Sequence, residues 1–258
     1  MGIYNCAPYL QEALDSLYAQ TFQDFEIILC DDGSSDNTYE IAKINAAAHP
    51  NIKLLQNAHN LGLNHTLNNC LMVAEGEYIA RMDGDDVSLP TRFEKEVLFL
   101  DGHPEYAIVS CPMIYFDENG EFARGKAGGE PTKDVLNDGV PFCHAPCMVR
   151  KEAYNAVGGY TVDSRLLRYE DYNLWMKMFA LGFRGYNISE CLYAMRDDRT
   201  AAKRRTFRGR LNGIYAHKLA YETLDLSLLS FWKFAIVSIF KGLLPGSVYR
   251  YLHHLKRK

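Results

Sequence analysis

From residue 25 to residue 82 buried-strand patterns alternate with helical ones at a spacing that admits few folds. Residues 25–30 read as a buried strand, broken by Asp31-Asp32-Gly33-Ser34-Ser35-Asp36. Ser35 or Asp36 can cap a helix over 38–48. Residues 52–55 make a second strand, 61–74 a helix ended by Gly76, and 78–82 a third strand. That order predicts an α/β sandwich with a mainly parallel sheet. Ligands of such sheets bind beyond the carboxyl ends of the strands. The acidic clusters 31–32 and 83–86 both stand at such ends, so they should face one cleft.

The second cluster is the denser. Asp83, Asp85 and Asp86 put three carboxylates within four residues. Like charges this close repel, so the cluster implies a compensating cation. Asp-x-Asp just past a strand suits a hard divalent ion held by oxygen and shared with a diphosphate. A solvated acidic turn is the plain alternative, because Asp and Gly are common turn formers.

With 48% apolar and 23% charged residues, 258 residues can bury one large core, or one domain and a small appendage. The net charge of −4 is unevenly placed: 14 Lys/Arg against 4 Asp/Glu from 196 to 258, and 14 against 28 before that. A basic tail on an acidic body suggests an anionic surface as the tail's partner. Seven scattered cysteines read as reduced, intracellular usage without a disulfide framework. Cys143-His144-Ala145-Pro146-Cys147 lacks a second ligand pair at zinc spacing. The first residues do not have the pattern of a signal peptide.

The second half is less regular. Residues 107–111, 113–116 and 148–150 read as strands and 152–157 as a short helix, with a Gly/Pro/Asp-rich loop over 125–141. On a helix from 170, Asp171, Leu174, Trp175 and Met178 share one face and Glu170, Asn173 and Lys177 another. Asp171 therefore heads the buried face, and Glu170 goes to solvent or the rim. A buried, unpaired Asp is costly, which favours a functional role over an N-cap salt bridge.

Residues 199–221 carry Arg199, Lys203, Arg204, Arg205, Arg208 and Arg210 on a helix-compatible stretch. Residues 224–244 are mostly apolar, but Lys233 and Lys241 interrupt them, so a spanning helix is not expected. Ser227, Ser230, Lys233, Ser238 and Lys241 fall within an arc of about 140°. The remaining face holds Phe231, Trp232, Phe234 and Phe240, and Lys256-Arg257-Lys258 ends the chain. This reads as an interfacial membrane helix, with a helix packed on the protein as the alternative. No aromatic-interleaved basic motif points to nucleic acid.

The motifs together resemble a known family. Tyr4-Asn5, Gln20-Thr21-Phe22, Asp31-Asp32-Gly33-Ser34, Asn60-x-Gly62 with Asn68, Ala74-x-Gly76-Glu77-Tyr78, Asp83-x-Asp85-Asp86, Gly158-Gly159-Tyr160 and Glu170-Asp171 occur in order. Over roughly residues 2–195 the chain resembles the inverting glycosyltransferases of family 2, of the bacterial cell-surface polysaccharide type. The resemblance implies a GT-A fold over residues 1–195; residues 196–258 are the basic, amphipathic helical region read from the residues themselves. It also implies a nucleotide-diphosphate-sugar donor, a UDP-sugar favoured, with Mn²⁺ or Mg²⁺. Asp32 would accept from the nucleotide base, whose pocket Gly2, Ile3 and Tyr4 would line, and Gly62, Asn68 and Gly84 would complete the donor site. Asp83 would lie by the ribose and diphosphate and join Asp85 at the metal, and Asp171 would be the general base. The implied acceptor is a saccharide or lipid-linked saccharide, reached by a cytoplasmic enzyme held peripherally at the inner face of the membrane.

Three positions depart from or blur the pattern: Asn173 where Asp is frequent, Arg196-Asp197-Asp198 where Arg-x-His is frequent, and His144, which matches an acceptor-side position but suits core packing as well. The family's first strand normally begins about half a dozen residues before Met1, so an upstream start is expected. A nucleotidyltransferase of related fold, or a non-catalytic sugar-nucleotide-binding protein, are the alternatives in function.

Overall fold

The computed structural model describes residues 1–197 and 206–243. The first half follows the predicted alternation: β1 (Gly2–Ile3), α1 (Ala7–Tyr18), β2 (Ile27–Asp31), α2 (Thr38–Ala48), β3 (Ile52–Gln56), α3 (Leu63–Val73) and β4 (Tyr78–Ala80). Leu10, Leu14 and Leu17, one face of α1 at helical spacing, are sunk against Ile27 and Leu29 of β2 in the main core. At the start of α2, Asp36 Oδ1 accepts from the Thr38 N–H at 3.0 Å, but the capping position falls on Asn37, whose side chain makes no capping bond, rather than on Ser35 or Asp36.

After the acidic segment come β5 (Val87–Ser88), α4 (Arg92–Gly102), β6 (Ile108–Ser110), β7 (Met113–Asp117), β8 (Gly120–Arg124), β9 (Met148–Arg150) and α5 (Lys151–Ala156). Then follow α6 (Glu170–Ala180), β10 (Gly185–Asn187), β11 (Tyr193–Arg196), α7 (Phe207–Leu224) and α8 (Leu228–Leu243). The sheet β1-β2-β3 is parallel throughout. In the order β10-β6-β9-β4, β9 runs antiparallel to both its neighbours, and in β5-β11-β7-β8 only β11 and β7 are parallel.

Four strands carry no clear sequence signal. All of β8 is exposed, so it has no apolar face, and β5 and β10 are two and three residues long. β11 is recognisable only by its partners, β5 and β7, from distant parts of the chain.

Two expectations about helix faces need correcting. Asn173 does not sit on a polar outer face: it is buried, and Lys177 on the same side turns inward to donate to the Val157 and Gly159 carbonyls. On α8 the arc of serines and lysines does not all point to water, since Ser238 is buried with Ala235. There α8 packs on α7, with Phe234 stacked on His217 at 3.5 Å between ring centres. The basic residues Arg199, Lys203, Arg204 and Arg205 and the closing Lys256-Arg257-Lys258 lie outside the described residues.

Candidate active site

The loop after β4 is held by buried cross-chain bonds. Asp86 is only 2% exposed: Tyr193 of β11 donates its hydroxyl proton to Oδ2 at 2.9 Å, and the Arg196 N–H donates to Oδ1 at 2.8 Å. The same Tyr193 oxygen accepts from the Asp83 N–H at 3.2 Å. Arg196 Nε donates to the Asp85 carbonyl at 3.0 Å, and its guanidinium also bonds Glu12. Beneath lies Arg92, wholly buried with Glu96, donating to the Arg81 and Cys147 carbonyls at 2.9 and 3.3 Å. Burial, then the neighbouring Asp83 and Asp85, push Asp86 up to about 7. It acts as a strut of the loop.

One cation beside the acidic cluster is supplied by the chain itself. Arg81, 7% exposed, donates from two nitrogens to the two oxygens of Asp83 at 2.8 and 2.6 Å. A bidentate, charge-assisted pair of this kind is strong and directional. Burial opposes the Arg81 charge, but Asp83 more than offsets it. The charge of the same guanidinium also reaches Asp85, Glu170 and Asp171, favouring their ionised forms. Burial, then Asp83, raises the Asp85 carboxyl.

Asp171 opens α6. Its side chain is half-buried, and Oδ1 accepts from the Tyr172 N–H at 2.7 Å. Burial raises its carboxyl, with that N–H and Arg81 opposing. Glu170, read from the sequence as a solvent or rim residue, is no more exposed in class than Asp171, and burial raises it too. The helix-face argument does not separate the two carboxylates. His144 packs under the site, its Nε2 2.8 Å from the Tyr160 hydroxyl and its ring edge-on to Trp175. Burial, then Arg81, keeps that imidazole neutral by pulling it well below its ordinary value.

On the β1–β2 side, Asp32 accepts at Oδ1 from Asn57 and the Leu61 N–H, both at 2.8 Å, and at Oδ2 from the Gly62 N–H at 2.9 Å. A carboxylate has about four acceptor directions, so about one is left for a ligand. The neighbouring Asp31, expected with Asp32 to face the cleft, is instead fully buried, with Oδ1 unpartnered. Ile3 turns its side chain into the core at 1% exposure, and Tyr4 is the exposed residue of that segment. Gly84 brings loop and strand together, because a Cβ there would stand 2.8 Å from Cys6 Sγ and 3.0 Å from Ile3 Cγ2. Asn68 lies apart from this group. Its amide both donates to and accepts from the Tyr160 backbone, at 2.9 and 2.8 Å, which ties α3 to the Gly158-Gly159 turn.

Among the described residues no three His, Cys, Asp or Glu side chains converge on a metal-sized site. Asp83 is taken by Arg81, so Asp85 is the carboxylate that suits a hard ion. Such a site fits Mn²⁺ or Mg²⁺ when substrate phosphates supply further oxygens, as is usual for Mg²⁺.

Comparison with known proteins agrees with this architecture. The model of Glycosyl transferase family 2 matches residues 1–158. EpsE of Bacillus subtilis (strain 168) is 41% identical over 254 residues, covering 98% of this chain and 91% of that protein. The UDP-Gal:alpha-D-GlcNAc-diphosphoundecaprenol beta-1,3-galactosyltransferase of Escherichia coli is 30% identical over 253 residues, covering 95% and 90%. Two solved structures at 20% identity share the fold. TarS 1–349 of S. aureus, in complex with UDP-GlcNAc, has a TM-score of 0.71 over 92% of this chain and 70% of that one. The mannosyltransferase PcManGT of Pyrobaculum calidifontis, in complex with GDP-Man and Mn²⁺, has 0.64 over 98% and 78%. The chain belongs to glycosyltransferase family 2 and is an enzyme of that family with the GT-A fold.

Proposed function

We propose that this enzyme is metal-dependent and inverting, and that it moves a sugar from a nucleoside-diphosphate donor, a UDP-sugar by preference, to a hydroxyl of a lipid-linked saccharide. The observation that supports the proposal is the pinned Asp83–Asp86 loop, in which Arg81 holds Asp83 by two bonds, with the charge of that guanidinium also acting on Asp171. Asp85 would hold Mn²⁺ or Mg²⁺ against the donor diphosphate, supplying charge to the leaving group. Asp83, aimed by Arg81, would meet the ribose and diphosphate. Asp32, with about one acceptor direction left, and the exposed Tyr4 would bind the base.

An alcohol is a poor nucleophile near neutral pH, so a positioned carboxylate must take its proton during attack. Asp171 would do so as the acceptor oxygen bonds the anomeric carbon. The carbon–diphosphate bond breaks on the opposite face, its electron pair leaves with the nucleoside diphosphate, and the centre inverts. The name of the E. coli relative, which contains diphosphoundecaprenol, supports a lipid-linked acceptor.

The exposed apolar side of α8, with Leu229, Trp232 and Phe240, supports peripheral binding to an anionic membrane surface at its cytoplasmic side. No helix among the described residues is long and apolar enough to cross a membrane. Nucleic acid has no part in this reading. A thermal-shift panel of UDP-, GDP- and dTDP-sugars with and without Mn²⁺ tests the donor, and the anomeric configuration of the product tests inversion. Stabilisation by no nucleotide sugar, or a product of retained configuration, would overturn the proposal.

A further inference from the structure

Just ahead of Asp171, residues 163–169 form a strap across the N-terminal half of α7. Asn212 donates to the Ser164 and Leu167 carbonyls at 3.4 and 3.3 Å, and the Arg165 guanidinium lies 4.3 Å from the centre of the Tyr215 ring. The Tyr169 hydroxyl packs so closely on Gly213 that a Cβ there has no room. Arg208 stands one turn before Asn212 on the same side of α7, and Leu211 is within a turn of both Arg208 and Tyr215. The strap and the start of α7 therefore share one surface.

The strap carries a strained residue. Arg168 has a φ of 70°, which residues other than glycine rarely adopt and which gathers at ligand sites. Its N–H steadies the ionised Glu170 carboxylate, and the Tyr169 N–H donates to the Leu166 carbonyl at 2.8 Å. Leu166 is buried, while Leu167 and Arg168 are turned out to solvent. Arg165 is already paired with Asp163 at 2.6 Å. Arg168 and Arg208 are exposed and make no ion pair or side-chain hydrogen bond among the described residues. Leu167, Phe207 and Leu211 beside them are exposed as well.

We propose that Arg168 and Arg208, with Leu167, Phe207 and Leu211, bind the phosphate and the adjoining hydrocarbon of a lipid-linked acceptor, and so hold its sugar at Asp171. The inference rests on the acceptor class proposed above and adds the residues that read its lipid side. A guanidinium meets phosphate through paired N–H donors and keeps its charge at any working pH. Exposed large apolar side chains around such cations suit a ligand that is anionic at one end and hydrocarbon at the other. Three residues separate Arg168 from Asp171, at most about 10 Å of chain, so a phosphate at the one leaves the attached sugar within reach of the other. The strain at Arg168 then has a use, since it turns the guanidinium outward beside the first turn of α6.

The probe is geranyl diphosphate, titrated calorimetrically into the full-length protein in EDTA, with geraniol and inorganic diphosphate as its two halves. Each half should bind at least about tenfold more weakly than the whole, and excess UDP should not displace it. Arg168→Gly with Arg208→Gln should weaken the probe by about tenfold or more, because the charge-assisted bonds to phosphate are lost. Melting should be unchanged, since both side chains are exposed and glycine takes a positive φ without strain. Should the double variant fail to fold, Arg208→Gln alone must still cost about threefold. No binding of the probe, displacement by UDP, inorganic diphosphate as tight as the whole, or unchanged affinity in the variant would each overturn the proposal. An equal loss of binding to vesicles of anionic phospholipid would overturn it too, making the patch a general headgroup contact. Transfer to lipid-linked saccharides tests the acceptor class by itself, so the two readings can fail separately.

Discussion

Helices α6 and α8 depart from the usual apolar-in, polar-out rule in opposite directions. α6 hides polar groups: Asn173 is 3% exposed with its Oδ1 unpartnered, Lys177 turns inward, and Glu170 and Asp171 stand together in its first turn. α8 shows apolar ones: Leu229, Trp232 and Phe240 are 80%, 55% and 68% exposed. Burying polar groups is costly unless they are paired. On the function proposed above, the first helix would meet a polar ligand and the second an apolar surface. Tyr172 of α6, His217 of α7 and Phe234 of α8 stack in sequence, so the two helices belong to one packed unit.

The comparison breaks first at Asp171. Asp171→Asn should cut transfer by roughly 10²–10⁴-fold while donor binding persists, as loss of a general base does. Since both carboxylates have the same kind of surroundings, Glu170→Gln is the necessary control and should cost less. If Glu170→Gln is the more damaging in a transfer assay, the base is Glu170. The pH profile sharpens the same point. Burial raises the Asp171 carboxyl, so its charged, proton-accepting form appears only above the usual carboxylate pKa near 4. The acidic limb of kcat/KM should lie above that value, and a limb at or below it would contradict a buried base.

Asp85→Asn comes next. It should remove the Mn²⁺-dependent part of donor affinity in a calorimetric titration and leave the fold intact, because the Asp86 carboxylate and the Asp85 backbone carbonyl, both kept, hold the loop to β11. Tyr193→Phe should be milder for chemistry and worse for stability. It leaves the buried Asp86 Oδ2 and the Asp83 N–H each short of a partner, at about 1–3 kcal/mol per group. A melting temperature equal to the unsubstituted enzyme's would show that the hydroxyl does not pin the loop.

What the sequence made legible follows the range of the interactions. α2 and β9 fall on the residues expected, 38–48 and 148–150, because local periodicity and breakers define them. Asp83, Asp85 and Asp171 were visible as carboxylates in unusual places. Their wiring was not: the Tyr193 hydroxyl reaches Asp83 and Asp86 across 110 and 107 positions, and no pattern near either end announces it. Arg81 was visible but unassigned, although the repulsion among the acids already required a cation. The face of Asn173 was misjudged because a helical wheel cannot tell which two sides a neighbouring chain covers, and here the segment around Val157 and Gly159 covers the second.

The smallest effect on the chemistry belongs to α8. Trp232→Ser with Phe240→Ser removes two exposed aromatic side chains, the first of them edge-on to Phe231, and leaves the buried Ala235 and Ser238 in place. Melting and transfer to a water-soluble acceptor should stay as they are. Binding to vesicles containing anionic lipid should weaken by roughly tenfold or more, since each large apolar side chain withdrawn from water contributes about 1.5–3 kcal/mol when fully buried. Lys233 and Lys241 stay in place, so any residual binding should fall with added salt. If the double substitution lowers Tm instead, the exposed face of α8 is an internal packing surface, and the contrast with α6 is lost. If vesicle binding is untouched, attachment does not run through α8, and the basic residues elsewhere in the region from 196 onward must carry it.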